Sequence, residues 1–123
     1  MPDAAIALWG IKNCDTMKKA RLWLDQNGVA YTFRDYKQEG ADPARLKHWI
    51  ATLGWEIVLN RAGTTFRALP ESEKANLDAE RAAALMLAQP SMIKRPMLDR
   101  SDGLLLAGFK PEIYAKALLG SKD

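Results

Sequence analysis

The chain has 123 residues, 48% of them hydrophobic and 27% charged, the composition of a soluble globular protein long enough to close one core without disulfide or metal staples. Its net charge is only +3, with 18 Lys and Arg interspersed among 15 Asp and Glu, which gives no strong reason to expect nucleic acid as a partner. No segment approaches the roughly 18 consecutive apolar residues that span a bilayer, so a membrane is not an expected partner either.

The N-terminal MPDAAIALWG carries Asp3, no basic region and too short an apolar run for a cleaved signal. The expected location is the cytoplasm, and a single cysteine, which cannot close an intramolecular disulfide, agrees with a reducing compartment. AIALW at 5–9 is a short apolar run bounded by Gly10, the pattern of a buried strand. From Asp15 to Asn27, Met17, Ala20 and Leu24 recur at helical spacing with Trp23 alongside, and Gly28 supplies a stop. YTFRDY at 31–36 alternates and is rich in aromatics, which predicts a second strand. Strand, helix and strand in so short a stretch form a βαβ unit with parallel strands and a right-handed crossover.

Asp42 and Pro43 are a cap and first-turn pair, followed by Leu46, Trp49, Ile50 and Leu53 on one helical face, with Gly54 closing it. WEIVLN, TTFRALPESEKANL and DAERAAALMLAQ, the last opened by Asp78, read as further helical pieces without strand alternation. Residues from about 42 to 92 are therefore expected to be a helical insertion. PMLD at 96–99 and GLLLAGF at 103–109 flank RSD, with Gly103 just after it, a hairpin signature. Pro111 opens a last helix with Ile113, Tyr114, Ala117 and Leu118 on one side. The expected architecture is α/β, in the order β-α-β, helical insertion, β-β-α, on a mixed sheet of about four strands. No repeat or linker interrupts it, so residues 1–123 are read as one domain.

This order places Cys14 in the turn between a buried first strand and the first helix, where parallel α/β sheets set their ligand crevices. A thiol there meets unpaired backbone N–H groups and the positive end of the helix dipole, both of which favour thiolate. Lys12, Lys18 and Lys19 are close in sequence and are expected to act in the same direction. A thiol brought close to neutral pKa goes from a few per cent thiolate to roughly half, a gain of about 2 kcal/mol for the nucleophile. As a small apolar side chain, cysteine is often buried. The polar neighbours Asn13, Asp15 and Thr16 fit a helix entrance better than a core. Position 17 is Met, so there is no C-x-x-C, and an adduct at Cys14 must be resolved by a thiol from outside the chain. Glutathione is the abundant cytosolic candidate.

The blocks GIKNCDTMKKARLWL, LNRAGTTFRAL, QPSMIKRPMLD and LLLAGFKPEIY, spread over about residues 6–119, resemble the arsenate reductase family, which includes the Spx regulators, in its YffB-like branch. The resemblance implies a thioredoxin-like fold with a helical insertion. It assigns Cys14 as nucleophile, and Arg95 as the arginine that contacts the oxyanion or the thiol adduct. Pro96 matches the family's proline after that arginine, expected to be cis as in other thioredoxin folds. A guanidinium beside Cys14 would also stabilise the thiolate and could grip a carboxylate of glutathione bidentately. With Cys14 and Arg95 as the catalytic pair, Lys12, Asn13, Arg61, Arg95 and Pro96 are expected to line the substrate or glutathione site.

Three departures narrow what the resemblance implies. The family's arsenate reductases carry a histidine four residues before the cysteine, where this chain has Gly10. Another family arginine falls near LNRAG, where Asn60 is in the closest register and Arg61 is one position off. A third, anion-binding arginine has no clear match around Phe109 and Lys110.

The leading expectation is a glutathione-dependent thiol/disulfide reductase with glutathione as co-substrate, glutaredoxin as a further thiol donor and no bound cofactor. Arsenate reduction by the same thiol is the alternative enzyme. A third alternative is a Spx-like transcriptional regulator whose partner is RNA polymerase. His48, without a second histidine or nearby cysteine, does not predict a metal site, and Trp9, Trp23, Trp49 and Trp55 are expected to pack helices and core.

Overall fold

A computed structural model describes residues 5–120, in which the chain forms two compact units, one reaching Arg34 and resuming at Arg95, the other spanning 35–94. In the first unit the opening apolar run is β1 (Ile6–Gly10) and the amphipathic stretch after it is α1 (Asp15–Gln26). Met17, Ala20 and Leu24, spaced by three and four residues, are fully buried on one face of α1. Gly28, at φ 67°, turns the chain out of the helix, and the Val29 amide donates back to the Leu24 carbonyl at 2.9 Å. The chain continues into β2 (Thr32–Asp35).

On the far side of the second unit in sequence come β3 (Met97–Arg100) and β4 (Leu105–Ala107), and then α8, numbered for its place in the whole chain, at Pro111–Leu118. The four-stranded mixed sheet has the order β2-β1-β3-β4. β1 and β3 are antiparallel with Ile6 opposite Arg100, Leu8 opposite Leu98 and Trp9 opposite Met97, and β4 pairs antiparallel with β3 through Leu98 and Leu106. The expected hairpin forms: Gly103 at φ 110° donates to the Arg100 carbonyl, and Arg100 holds Asp102 at 2.8 Å. β3 starts at Met97 rather than Pro96, since proline has no N–H to give a ladder.

Leu8, Met17, Ala20, Leu24, Leu98 and Tyr114 make the core of this unit. Each fully buried aliphatic side chain contributes about 1.5–3 kcal/mol relative to exposure. Trp23, Phe109 and Tyr114 meet edge to face, with centroids 4.7 Å apart for Phe109 and Tyr114 and 5.7 Å for Trp23 and Tyr114.

The second unit begins earlier than the periodicity suggests. Asp35 ends β2 because its carboxylate accepts the Lys37 amide at 2.8 Å, capping a single helical turn, α2 (Tyr36–Glu39), so Tyr36 is helical rather than extended. α3 (Pro43–Leu53) has the expected Asp42 cap on the Arg45 amide at 3.0 Å and a Gly54 stop at φ 93°. Leu46 and Trp49 are its buried residues. WEIVLN gives only one turn, α4 (Trp55–Val58), after which Leu59 makes an isolated antiparallel bridge with Ile93. TTFRALPESEKANL splits at Pro70 into α5 (Thr64–Arg67) and α6 (Glu71–Lys74). α7 (Ala79–Ala88), capped by Asp78 on the Arg81 amide at 2.8 Å, buries Ala82 and Met86 and runs into a 3-10 turn at Pro90–Met92. No helix among the described residues is long and apolar enough to cross a membrane.

Candidate active site

The last three residues of β1, Leu8, Trp9 and Gly10, are buried, and the chain then surfaces through exposed Lys12 and Asn13 before α1 begins. Cys14 is the residue that opens α1: its backbone is extended (φ −134°, ψ 129°) while its carbonyl already accepts the Lys18 amide at 2.9 Å. This position leaves the amides of Thr16 and Met17 without helical partners and turned toward whatever group residue 14 carries. Here that group is a half-buried free thiol packed against the edge of the core cluster.

Arg95 comes from the other end of the unit. Because β1 and β3 run antiparallel with Trp9 opposite Met97, continuing that register past the strand end sets Arg95 beside the turn that follows Gly10. The Arg95–Pro96 bond is cis, Pro96 is buried, and its carbonyl accepts the Gly108 amide at 2.8 Å.

Burial alone would raise the Cys14 pKa. It is outweighed by the Met17 amide, by a hydrogen bond and the positive charge from Arg95, and by the Thr16 amide, so the thiol lies below its ordinary value. None of the amides makes a cap hydrogen bond of strict geometry to the sulfur; a large, diffuse thiolate is served by donors at looser range. The lysines expected to assist are not among the groups that lower it: Lys12, Lys18 and Lys19 are exposed. The positive partner of the thiol is a guanidinium distant in sequence.

Of the residues expected to form the site, Cys14 and Arg95 interact directly, Lys12 and Asn13 lie on the exposed turn leading into Cys14, and Pro96 is buried next to Arg95. Arg61 belongs to the second unit, exposed, with its guanidinium 5.6 Å from the Trp55 ring centre. Neighbouring Asn60 donates its backbone N–H to Met92 at 2.7 Å, and its side-chain amide lies 2.9 Å from where a Cβ on Gly63 would be. His48 is exposed on α3, and no group of three or more His, Cys, Asp or Glu among the described residues could hold a metal ion. In the sequence Met17 is marked only as a core residue and as the position where a C-x-x-C would need its second cysteine. The signal for its amide was its place three residues after the residue opening the helix, where an N–H always seeks an acceptor.

Residues 9–117 match the ArsC family, a span that contains both the Cys14 turn and the Arg95–Pro96 segment. The chain belongs to the ArsC family. A protein of Haemophilus influenzae, described as uncharacterized, is 38% identical over 112 residues, which is 91% of this chain and 97% of that one. Among solved structures, the YFFB protein is 60% identical with a TM-score of 0.89, covering 93% of this chain and 99% of its own. An arsenate reductase (ArsC) related protein from Brucella melitensis is 53% identical with a TM-score of 0.76, covering 97% and 98%. The ArsC fold is thioredoxin-like, and the four-stranded mixed sheet described above is its sheet.

Proposed function

We propose that this ArsC-family protein is an oxidoreductase that reduces mixed disulfides at Cys14 with glutathione as the second thiol. The observation that carries the reading is the placement of the chain's one cysteine at the start of α1, where Arg95 and two backbone amides favour its thiolate. The thiolate attacks the glutathione sulfur of a mixed disulfide R–S–S–G, forming the Cys14–glutathione disulfide and expelling RS⁻, which takes a proton. A second glutathione, as thiolate, attacks the glutathione sulfur of that adduct, releasing oxidised glutathione and the Cys14 thiolate. The net change is one mixed disulfide and one reduced glutathione to one thiol RSH and one oxidised glutathione, and no second protein cysteine is needed. Arg95 supplies charge-assisted hydrogen bonding for the thiolate and for a peptide carboxylate.

Turnover of a small glutathione mixed disulfide, followed by oxidised glutathione formed, tests this. Wild type is expected to turn over and Cys14→Ser to be inactive; activity retained in Cys14→Ser would refute the reading.

Arsenate reduction by the same thiol is a second reading, favoured by the 53% identity to the Brucella melitensis arsenate reductase related protein. There Cys14 would displace hydroxide from As(V), and attack of a second thiol on the Cys14 sulfur would leave As(III) and a disulfide. Arsenate-dependent oxidation of glutathione, with and without glutaredoxin, separates the two readings.

A further inference from the structure

The last residue of β1 and the third residue of α1 share one space. A Cβ on Gly10 would overlap the Met17 Sδ and stand 2.7 Å from its Cε and 3.1 Å from its Cγ. Gly10 has no positive φ, so what a side chain here would meet is the volume that the end of the Met17 side chain fills, and a Cβ would oblige Met17 to move. Met17 is fully buried, a member of the core cluster that also holds Leu8, Leu98 and Tyr114.

The start of α1 has no side-chain cap to hold it. Its opening residue offers sulfur instead of a hydroxyl or carboxylate oxygen, and no side-chain cap hydrogen bond forms. Asp15 and Thr16 are exposed, as is Lys18, which leaves Met17 as the buried side chain of the first turn. The amides of Thr16 and Met17 can serve the Cys14 sulfur only while this turn is held, and helix ends open more readily than cores.

We propose that Met17 is the positioning residue of the Cys14 thiol: its side chain, seated in the space Gly10 leaves empty, fixes the first turn of α1 against the end of β1 and keeps the Thr16 and Met17 amides facing the sulfur. The proposal rests on the reading of Cys14 as the reacting thiol. It makes positions 10 and 17 a size-matched pair: a methyl added at Gly10 displaces Met17, and with it the donors. The charged groups around the thiol stay constant in this comparison, Arg95 from the segment before β3 and the exposed Lys12, Asp15, Lys18 and Lys19 from the turn and α1 itself.

The test is the rate of Cys14 alkylation by iodoacetamide against pH, on the full chain, which reads thiol ionisation whether or not glutathione is turned over. Met17→Ala is expected to move the midpoint up by about one pH unit. At a pH below both midpoints its rate should fall about threefold, because a tenfold loss of thiolate is partly offset by the stronger nucleophile. Met17→Leu, of similar volume, should keep the wild-type midpoint. Gly10→Ala should raise the midpoint, and Gly10→Ala with Met17→Ala together should fall short of the sum of the two, since both act on one contact.

A purely structural Met17 would lower the melting temperature in Met17→Ala and leave the midpoint where it was, and that result overturns the proposal. If Met17→Ala does not fold, Gly10→Ala decides on the same readout. A wild-type midpoint in the ordinary thiol range overturns instead the underlying reading of Cys14. A low wild-type midpoint that no variant moves overturns only the role of Met17.

Discussion

Replacing Arg95 by alanine removes a side chain that both hydrogen-bonds the Cys14 sulfur and places a positive charge beside it. A hydrogen bond to a charged group contributes about 1.5–3 kcal/mol. Cys14 is half-buried and Arg95 partly so, so solvent screening brings the effect to the lower end, about 1.5 kcal/mol. That corresponds to a rise of about one pH unit in the thiol midpoint. The thiolate at fixed pH below the midpoint then falls about tenfold, and since a more basic thiolate is intrinsically more reactive, the alkylation rate falls about threefold. The assay is iodoacetamide alkylation against pH, with the melting temperature measured in parallel to confirm that Arg95→Ala is folded. Arg95→Lys should lie between the two, because it keeps the charge and loses the planar fork. A folded Arg95→Ala protein with the wild-type midpoint would refute the reasoning, since the Thr16 and Met17 amides would then account for the whole effect.

A second prediction concerns stability against pH. The folded thiol lies below its ordinary value, so the thiolate stabilises the fold fully above the pKa of the unfolded thiol, and that stabilisation disappears as pH falls through the folded one. The unfolding free energy of wild type minus that of Cys14→Ser should therefore grow from neutral pH through the ordinary thiol range in urea titrations; a flat difference contradicts it. A third concerns Tyr114, whose ring packs against Trp23 and Phe109 while its buried hydroxyl, pushed well above the ordinary phenol range by burial, has no hydrogen-bond partner among the described residues. Tyr114→Phe keeps the ring contacts and removes a group whose burial costs about 1–3 kcal/mol, so it should be neutral or stabilising in urea unfolding. A clear loss of stability would mean that the hydroxyl is satisfied.

The elements that could be read from the sequence are those in which one pattern and one boundary signal coincide. α1 carries Met17, Ala20 and Leu24 on one face with Gly28 behind it, α3 and α7 each follow an aspartate cap, and RSD with Gly103 announces the β3–β4 hairpin. The parts that escaped have no periodic signature. Asp35 ends β2 through a local carboxylate–amide bond that competes with the alternation of YTFRDY. A single Leu59–Ile93 bridge has no period at all.

At the site, the place of Cys14 between a buried strand and a helix was legible, because the apolar run before it and the helical spacing after it bracket residue 14. Arg95 came from the family resemblance, since nothing local joins it to residue 14, and it took the antiparallel β1–β3 register to bring the two together. The nearby lysines looked like the thiol's positive neighbours, yet two of its donors are backbone amides, which every residue but proline carries and no letter announces. The fit of Met17 into the space at Gly10 is likewise a fact of volume, visible only once the strand and the helix are side by side.

The central claim is that Cys14 works with a thiol from outside the chain, and the most direct measurement is the intact mass after brief exposure to oxidised glutathione, followed by addition of reduced glutathione. The account predicts one glutathione on wild type, none on Cys14→Ser, and its complete removal as oxidised glutathione in the second step. Absence of an adduct under mild conditions, or an adduct that reduced glutathione leaves in place, would contradict it.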